Sequence, residues 1–334
     1  MKIQLTHTFE DIISLENLLE AWKEFLRGKR NKKDIQEFER NFMGNIIQLH
    51  SELSSKNYKH GGYQSFKIND PKPRNIHKAS VRDRLLHHAI HRKLYPFFDN
   101  VFTTDSCSCR LNKGTHKAVN RFREFAYKAS KNNTKTCWVL KCDIRKFFDN
   151  IDHEILINIL ESHIPDKSII LLLKEIINSF SAKQEGVGLP LGNLTSQLFV
   201  NIYMNEFDQF MKHKIKAIYY IRYADDFVVL SDDRAYLANL IPAIKEFLQE
   251  SLKLELHPKK LSISTIASGI DFLGWVNFPN HRILRTKTKQ RMFKKISDKN
   301  FQSYLGILKH GNGRKIENDI LSKYASILIN GQAV

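Results

Sequence analysis

The stretch Tyr219-Tyr220-Ile221-Arg222-Tyr223-Ala224-Asp225-Asp226-Phe227-Val228-Val229-Leu230 decides the fold. Two runs of β-branched and aromatic residues flank a tight Ala-Asp-Asp, the pattern of a hairpin of two buried strands. Two adjacent carboxylates at the tip of an apolar hairpin repel one another, and the walls around them solvate charge poorly. A cation held between them and a further acid would offset that cost, and Mg²⁺ prefers hard oxygen ligands of this kind. A surface turn that carries two acids is the plainer alternative, because Asp is common in turns. The rest of the chain has to choose between the two.

A second acid lies upstream. Trp138-Val139-Leu140-Lys141-Cys142-Asp143-Ile144 reads as an apolar strand ending in a carboxylate, followed by Arg145-Lys146-Phe147-Phe148-Asp149-Asn150-Ile151. If this strand lies beside the hairpin in one sheet, Asp143, Asp225 and Asp226 converge. Two cations about 3.5–4 Å apart could then clamp a phosphoryl displacement. Between the two acidic elements, a helical region from about 154 to 180 is interrupted at Pro165. The Gly/Pro-rich loop Gly186-Val187-Gly188-Leu189-Pro190-Leu191-Gly192-Asn193 then leads to an expected helix start at Thr195-Ser196, ahead of an apolar stripe.

Working outward, residues 9–56 read as two helices, the second from about Asp34 to Ser55, separated by the basic stretch Arg27–Lys33. Gly61-Gly62 breaks that pattern, and Tyr63–Ile68 alternates like a strand. Asp70-Pro71-Lys72-Pro73-Arg74 is an expected turn, with Asn75–His77 as the returning strand. A helix is expected from Val81 to about Tyr95. His77, His87, His88 and His91 suggest a metal site by spacing, but no Cys or acid completes a ligand set, so polar packing is the reading taken. The loop Ser106–His116 is basic and contains Gly114. Arg110, Lys113 and the helix start that follows could face phosphate oxygens. After the hairpin, a helix from Arg234 to Leu252 precedes short strands and a basic helical tail broken at Gly311-Asn312-Gly313.

Composition narrows the function. With 42% hydrophobic and 26% charged residues, the 334-residue chain is an ordinary globular protein with length for two or three lobes. Its 53 Lys and Arg against 35 Asp and Glu give +18, which points to a polyanionic partner, nucleic acid first. From Arg282 onward there are 12 Lys and Arg against three Asp and Glu, so half the net charge lies in the last sixth of the chain. No apolar run approaches the ~18–20 residues of a membrane span. The first residues lack the apolar core of a signal peptide, so a cytoplasmic location without membrane attachment is expected. Cys107, Cys109, Cys137 and Cys142 lack zinc-site spacing and are expected to be reduced thiols.

Cys142-Asp143-Ile144-Arg145-Lys146-Phe147-Phe148-Asp149-Asn150-Ile151, Leu189-Pro190-Leu191-Gly192, Tyr223-Ala224-Asp225-Asp226 and Phe272-Leu273-Gly274-Trp275 together resemble the ordered motifs of reverse transcriptases. The resemblance runs from about Tyr63 to Trp275. It implies an α+β, right-hand polymerase fold: fingers at 61–136, a palm at 137–280 whose antiparallel sheet carries the Tyr-Ala-Asp-Asp hairpin, and a small basic helical thumb at 281–334. The palm would hold a finger-type helical insertion at about 154–185, and residues 1–60 would be a helical extension. Implied ligands are two Mg²⁺ ions (Mn²⁺ substituting), a template RNA, the RNA/DNA heteroduplex and deoxynucleoside triphosphates. Asp143 and Asp225 would ligate both metals, with Asp226 in support. Arg74 and Arg110 would reach the triphosphate, Phe148 would exclude a 2′-hydroxyl, and Lys260 would approach the leaving group. Ile144, Leu191 and Gly192 would complete the nucleotide site.

Within that family, Ser108–His116 and Gly192-Asn193-Leu194-Thr195-Ser196-Gln197 resemble the reverse transcriptases of diversity-generating retroelements. Most other members have Gln where this chain has Leu191, and Ser-Pro where it has Ser196-Gln197. The subfamily is associated with mutagenic copying at template adenines and with a small accessory protein, so Leu191, Ser196 and Gln197 are expected to bear on fidelity and subtype. A group II intron-derived, retron or phage-defence enzyme remains an alternative, as does a catalytically inactive RNA-binding scaffold.

Overall fold

The structure is a computed structural model that describes residues 3–69 and 73–331, with side chains to 326. Asp70, Pro71 and Lys72 of the expected turn lie outside the described residues.

Among the described residues the chain opens with α1 (Phe9–Ile13), α2 (Leu15–Phe25), α3 (Lys33–Glu39) and α4 (Phe42–Ser54). Thr8 and Asp11 form a reciprocal cap on α1, each side chain taking the other's backbone N–H. The single helix expected from Asp34 to Ser55 is two, because Asn41 leaves helical backbone at φ −124°, ψ 45°. β1 (Tyr63–Ile68) and β2 (Arg74–Ala79) form an antiparallel ribbon in register from Tyr63↔Ala79 to Ile68↔Arg74. α5 (Val81–Val101) runs past the expected end at Tyr95 and through Pro96. Burial of Leu94, Tyr95 and Phe98 outweighs the amide lost at the proline. Asn17 of α2, itself buried, donates Nδ2 to Ala89 O (3.1 Å) and ties the N-terminal helices to α5.

α6 (Thr115–Ala129) leads to β3 (Trp138–Asp143), and α7 (His153–Glu161) and α8 (Lys167–Asn178) stand either side of Pro165 as expected. α9 (Leu194–Gln209) is buried around most of its circumference and forms the central post of the molecule. It starts at Leu194, one residue before the expected capping pair. β4 (Tyr220–Tyr223), β5 (Asp226–Ser231), α10 (Arg234–Leu252) and β6 (Ser262–Thr265) follow. The chain continues with β7 (Ile270–Phe272), β8 (Trp275–Asn277), β9 (Arg282–Leu284), α11 (Thr286–Lys295), α12 (Phe301–Leu308) and α13 (Arg314–Gly331).

An antiparallel sheet in the order β4-β5-β3-β6 organises these elements. Strand alternation sends Leu140, Cys142, Tyr220, Phe227 and Val229 into the large core with α9 and α10. Val139, Ile221, Val228 and Leu230 point the other way, into a second core with α6 and the C-terminal elements. Each fully buried apolar side chain here contributes roughly 2 kcal/mol, and a one-residue slip would reverse both faces at once. Register is therefore strongly specified, and it fixes which residues meet at the sheet's end. A smaller sheet, β7-β8-β9, packs with the C-terminal helices. None of the helices among the described residues is long and apolar enough to cross a membrane.

Candidate functional site

The register decides the site. β3 pairs with β5 so that Asp143, the last residue of β3, lies opposite Asp226, the first of β5. Tyr223 also pairs with Asp226, which leaves Ala224 and Asp225 as a two-residue turn. Ala224 adopts a left-handed backbone (φ 55°), at a cost of about 1 kcal/mol for a residue with a Cβ. Both turn carbonyls are pinned. Ala224 O accepts from Arg222 Nη1 (3.2 Å), and Asp225 O accepts from the Ile144 amide (3.1 Å).

Two of these three neighbouring carboxylates hold their protons more tightly than usual. Burial, and then the charge of Asp143, push the Asp225 carboxyl up, while Lys260 and Arg74 pull against the shift. Burial and the Asp225 charge push Asp226 up to about 6. The donor chemistry suits a hard divalent cation. The geometry is held by a different cation: Lys260 Nζ donates to both oxygens of Asp143 at 2.7 Å. Among the described residues, no group of three or more His, Cys, Asp or Glu side chains is gathered for a metal ion.

A cavity of about 430 Å³ is lined by Arg74, His77, Phe148, Lys183 and Leu191, among others. Its walls come from β2 and the residue before it, from the segment after Asp143, from residues 180–183 and from the 186–193 loop. β2 is hung on that loop: the His77 amide donates to Leu191 O (2.9 Å), and Asn193 Nδ2 donates to His77 O (2.8 Å). Asn193 accepts from the Ala79 amide (3.4 Å), so its side chain serves β2 and caps nothing on α9. On the other side of this seam a second cavity, about 370 Å³, is lined by Lys29, Ile76, Arg84, His87, Gly192 and Gln197, among others.

The structure thus brings Arg74, Phe148 and Leu191 together, and Lys260 to Asp143. Gly192 and Gln197 face the second cavity, and Ser196 is buried on α9. Gly192 has φ +113°, and a Cβ there would lie 2.7 Å from Ile76 Cγ2, so its close approach is to β2.

Two expectations are corrected. Arg110 faces no phosphate site: its side chain is 4% exposed. It donates to Asp99 Oδ1 (2.6 Å), to the carbonyls of Thr103 (2.6 Å) and Ser106 (3.0 Å), and to Asp99 O (3.0 Å). The extra turn and a half of α5 carries Asp99 into its reach. Lys113 is turned the same way, onto Thr104 O (2.9 Å). Ile144 offers no side chain to a nucleotide, being 2% exposed in the large core; its contribution is the amide on Asp225.

The histidines pack as rings. His87 is buried with Nε2 3.2 Å from His60 Nε2, His91 stacks on Tyr95 and His77 leans on Phe180. Cys107, Cys109, Cys137 and Cys142 are all unpaired.

Sequence reading passed over Arg222 and Asp208, which form a fully buried ion pair beneath the hairpin. The signal was a charged residue at an inward strand position, facing a polar stripe of Asn201, Asn205 and Asp208 on α9.

Comparison with known proteins agrees with this geometry. The chain is 26% identical to the protein YkfC of Escherichia coli K12, over 63% of this chain and 63% of that protein. It is 23% identical to the group II intron-encoded protein LtrA of Lactococcus lactis subsp. cremoris, over 67% of this chain and 47% of LtrA. It therefore spans less than two thirds of either relative's length. A solved structure of apo telomerase from Candida tropicalis, truncated of its C-terminal domain, superposes with a TM-score of 0.50 at 14% identity. That match covers 73% of this chain and 60% of the telomerase chain, and it carries the fold alone. Residues 64–276, which include the hairpin, Asp143 and both cavities' β2 wall, match the family described as reverse transcriptase (RNA-dependent DNA polymerase). With nearly two thirds of its length in that match, the chain belongs to the reverse transcriptase family.

Proposed function

We propose that the chain is an RNA-directed DNA polymerase that copies a template RNA into cDNA. The observation that carries this reading is the register of Asp143 opposite Asp226, with Asp225 in the adjoining turn. Residues 61–136 serve as fingers, 137–280 as palm and 281–334 as thumb, with 1–60 as a helical extension. Two Mg²⁺ ions bound at Asp143, Asp225 and Asp226, with Mn²⁺ as a substitute, would supply Lewis-acid activation of the primer 3′-hydroxyl and neutralise the triphosphate. The chain's own residues do the rest. Arg74 presents a guanidinium to the triphosphate, a bidentate match for phosphate oxygens. The Phe148 ring fills the space a 2′-hydroxyl would need. Lys260, freed from Asp143, stands ready to donate a proton to the leaving group. The basic C-terminal helices supply a surface for the heteroduplex.

Within the family, the reading is a diversity-generating retroelement enzyme that makes adenine-mutagenised cDNA with a small accessory protein. Leu191 supports it: a Leu cannot hydrogen-bond near the nucleotide, and losing such a contact loosens discrimination between correct and incorrect pairs. Gln197 in place of a family proline supports the same subtype. The likeness to LtrA favours a second reading, an intron-type enzyme.

Primer extension on an RNA template tests the activity. Asp143→Asn or Asp225→Asn should cost several kcal/mol of transition-state stabilisation, about a thousandfold in rate. Full activity in either variant overturns the assignment. Sequencing the cDNA separates the subtypes: errors concentrated at template adenines, and reduced in Leu191→Gln, are expected of the retroelement enzyme. An adenine error rate unchanged in that variant removes Leu191 from the explanation.

A further inference from the structure

We propose that Arg222 and Asp208 are a positioning pair that holds the Ala224-Asp225 turn, and with it the acids, at the geometry catalysis needs. The inference rests on the polymerase reading above. Both side chains are wholly buried. Arg222 grips Asp208 through two parallel hydrogen bonds, Nε to Oδ1 (2.7 Å) and Nη2 to Oδ2 (2.6 Å). Its remaining donors reach Ser106 Oγ (2.9 Å), Asn201 Oδ1 (3.5 Å) and Ala224 O (3.2 Å). Tyr220, two residues earlier on the same strand face, donates its hydroxyl to Asp208 Oδ1 (2.7 Å). The guanidinium therefore has every donor engaged, which is the condition under which such a group survives burial.

The backbone of Arg222 is clamped as well. Its amide donates to Asp105 O (3.0 Å), and its carbonyl accepts from the Cys107 amide (2.9 Å), so segment 105–107 covers the open edge of β4. Arg222 is thus joined to α9, to the loop before α6 and to the hairpin tip. A buried ion pair is seldom more stabilising than apolar residues of the same volume, so stability alone is a weak reason for this one. Geometry is a stronger reason. The turn contains a left-handed alanine, and of its two carbonyls one is held by Arg222 and the other by Ile144, the residue after Asp143. Together the two pins set Asp225 and Asp226 relative to Asp143. Arg222 donates to Asp208, Asn201, Ser106 and the Ala224 carbonyl and to none of the three carboxylates, so it acts through the turn.

Two variants of the full chain test this. Arg222→Met combined with Asp208→Leu removes both charges and keeps the core filled. Arg222→Lys keeps the charge but lacks the fork that reaches both Asp208 and Ala224. Both should melt within a few degrees of wild type. Both should bind Mn²⁺ about tenfold more weakly, read by electron paramagnetic resonance of free ion, and lose about tenfold in kcat with KM for the nucleotide little changed. Should the double variant not fold, Arg222→Lys decides alone. Wild-type Mn²⁺ affinity and kcat in a folded variant overturn the proposal. So does a loss of Mn²⁺ affinity that only tracks a fall in melting temperature across Tyr220→Phe and Arg222→Lys. A wild-type protein that neither extends a primer nor binds Mn²⁺ instead overturns the polymerase reading, so the two failures are distinct.

Discussion

Lys260 Nζ lies 2.7 Å from both carboxylate oxygens of Asp143, so the strand-end acid is already neutralised by a side chain of its own fold. The lysine is 42% exposed and the aspartate 8%. An ion pair with one partner this solvated is worth at most about 1 kcal/mol. A divalent ion arriving at Asp143 must displace it. Lys260→Met should therefore tighten Mn²⁺ binding by up to about fivefold, and it should slow turnover if Lys260 is the proton donor proposed above. Titration of Mn²⁺ into the two proteins checks this, and equal or weaker binding in the variant would sink the exchange idea.

Phe148 lines the same cavity as Arg74 and Leu191. If its ring excludes a 2′-hydroxyl, Phe148→Ala should raise the use of ribonucleotides relative to deoxynucleotides. Steric discrimination of this kind is worth ~1–3 kcal/mol, or about ten- to a hundredfold in the ratio of kcat/KM values. An unchanged ratio in single-nucleotide extension removes Phe148 from that role.

Gly192 carries a φ of +113°, where a side chain is strained, and an added Cβ would meet Ile76 Cγ2 at 2.7 Å. Gly192→Ala should cost about 2–3 kcal/mol in denaturant unfolding. Adding Ile76→Ala should recover only part of it, because the backbone strain persists. Full recovery would show that the contact, not the φ, sets the requirement.

Burial holds His87 neutral, its pKa lowered to about 3, and His88 and His91 are lowered to about 4 for the same reason. Above the unfolded value near 6.5 neither state is charged, and stability is unaffected. As pH falls below 6.5, the unfolded chain takes up protons that the folded chain refuses, so stability is lost down to about pH 3. His87 alone accounts for roughly 1.4 kcal/mol per pH unit in that window. His87→Phe should flatten the acid limb of a melting-temperature profile, and an unaltered slope would contradict the assignment.

How much of this could be read from the sequence differs from place to place. The hairpin was legible because β-branched and aromatic runs leave a tight Ala-Asp-Asp few alternatives, and Asp143 was legible as an acid closing an apolar strand. That Asp143 meets Asp226 is a matter of register, set by two opposed cores whose partners are far apart in the chain. Arg110 was misassigned because a basic, glycine-containing loop looks alike whether it faces phosphate or a helix end. Its partner, Asp99, lay beyond the expected end of α5 at about Tyr95. The break at Asn41 left no apolar gap to betray it, since α3 and α4 both keep a helical pattern.

The seam between β2 and the 191–193 loop has an implication for anyone redesigning this protein. Because His77 and Leu191 face one cavity while Ile76 and Gly192 face the other, neighbouring residues on one thin partition serve two chambers. β1, the partition's other support, is almost wholly exposed and gives it little stiffness. Mutagenesis libraries at Leu191 and at Gly192 should accordingly show strong epistasis, and variants selected through one chamber will carry an imprint in the other.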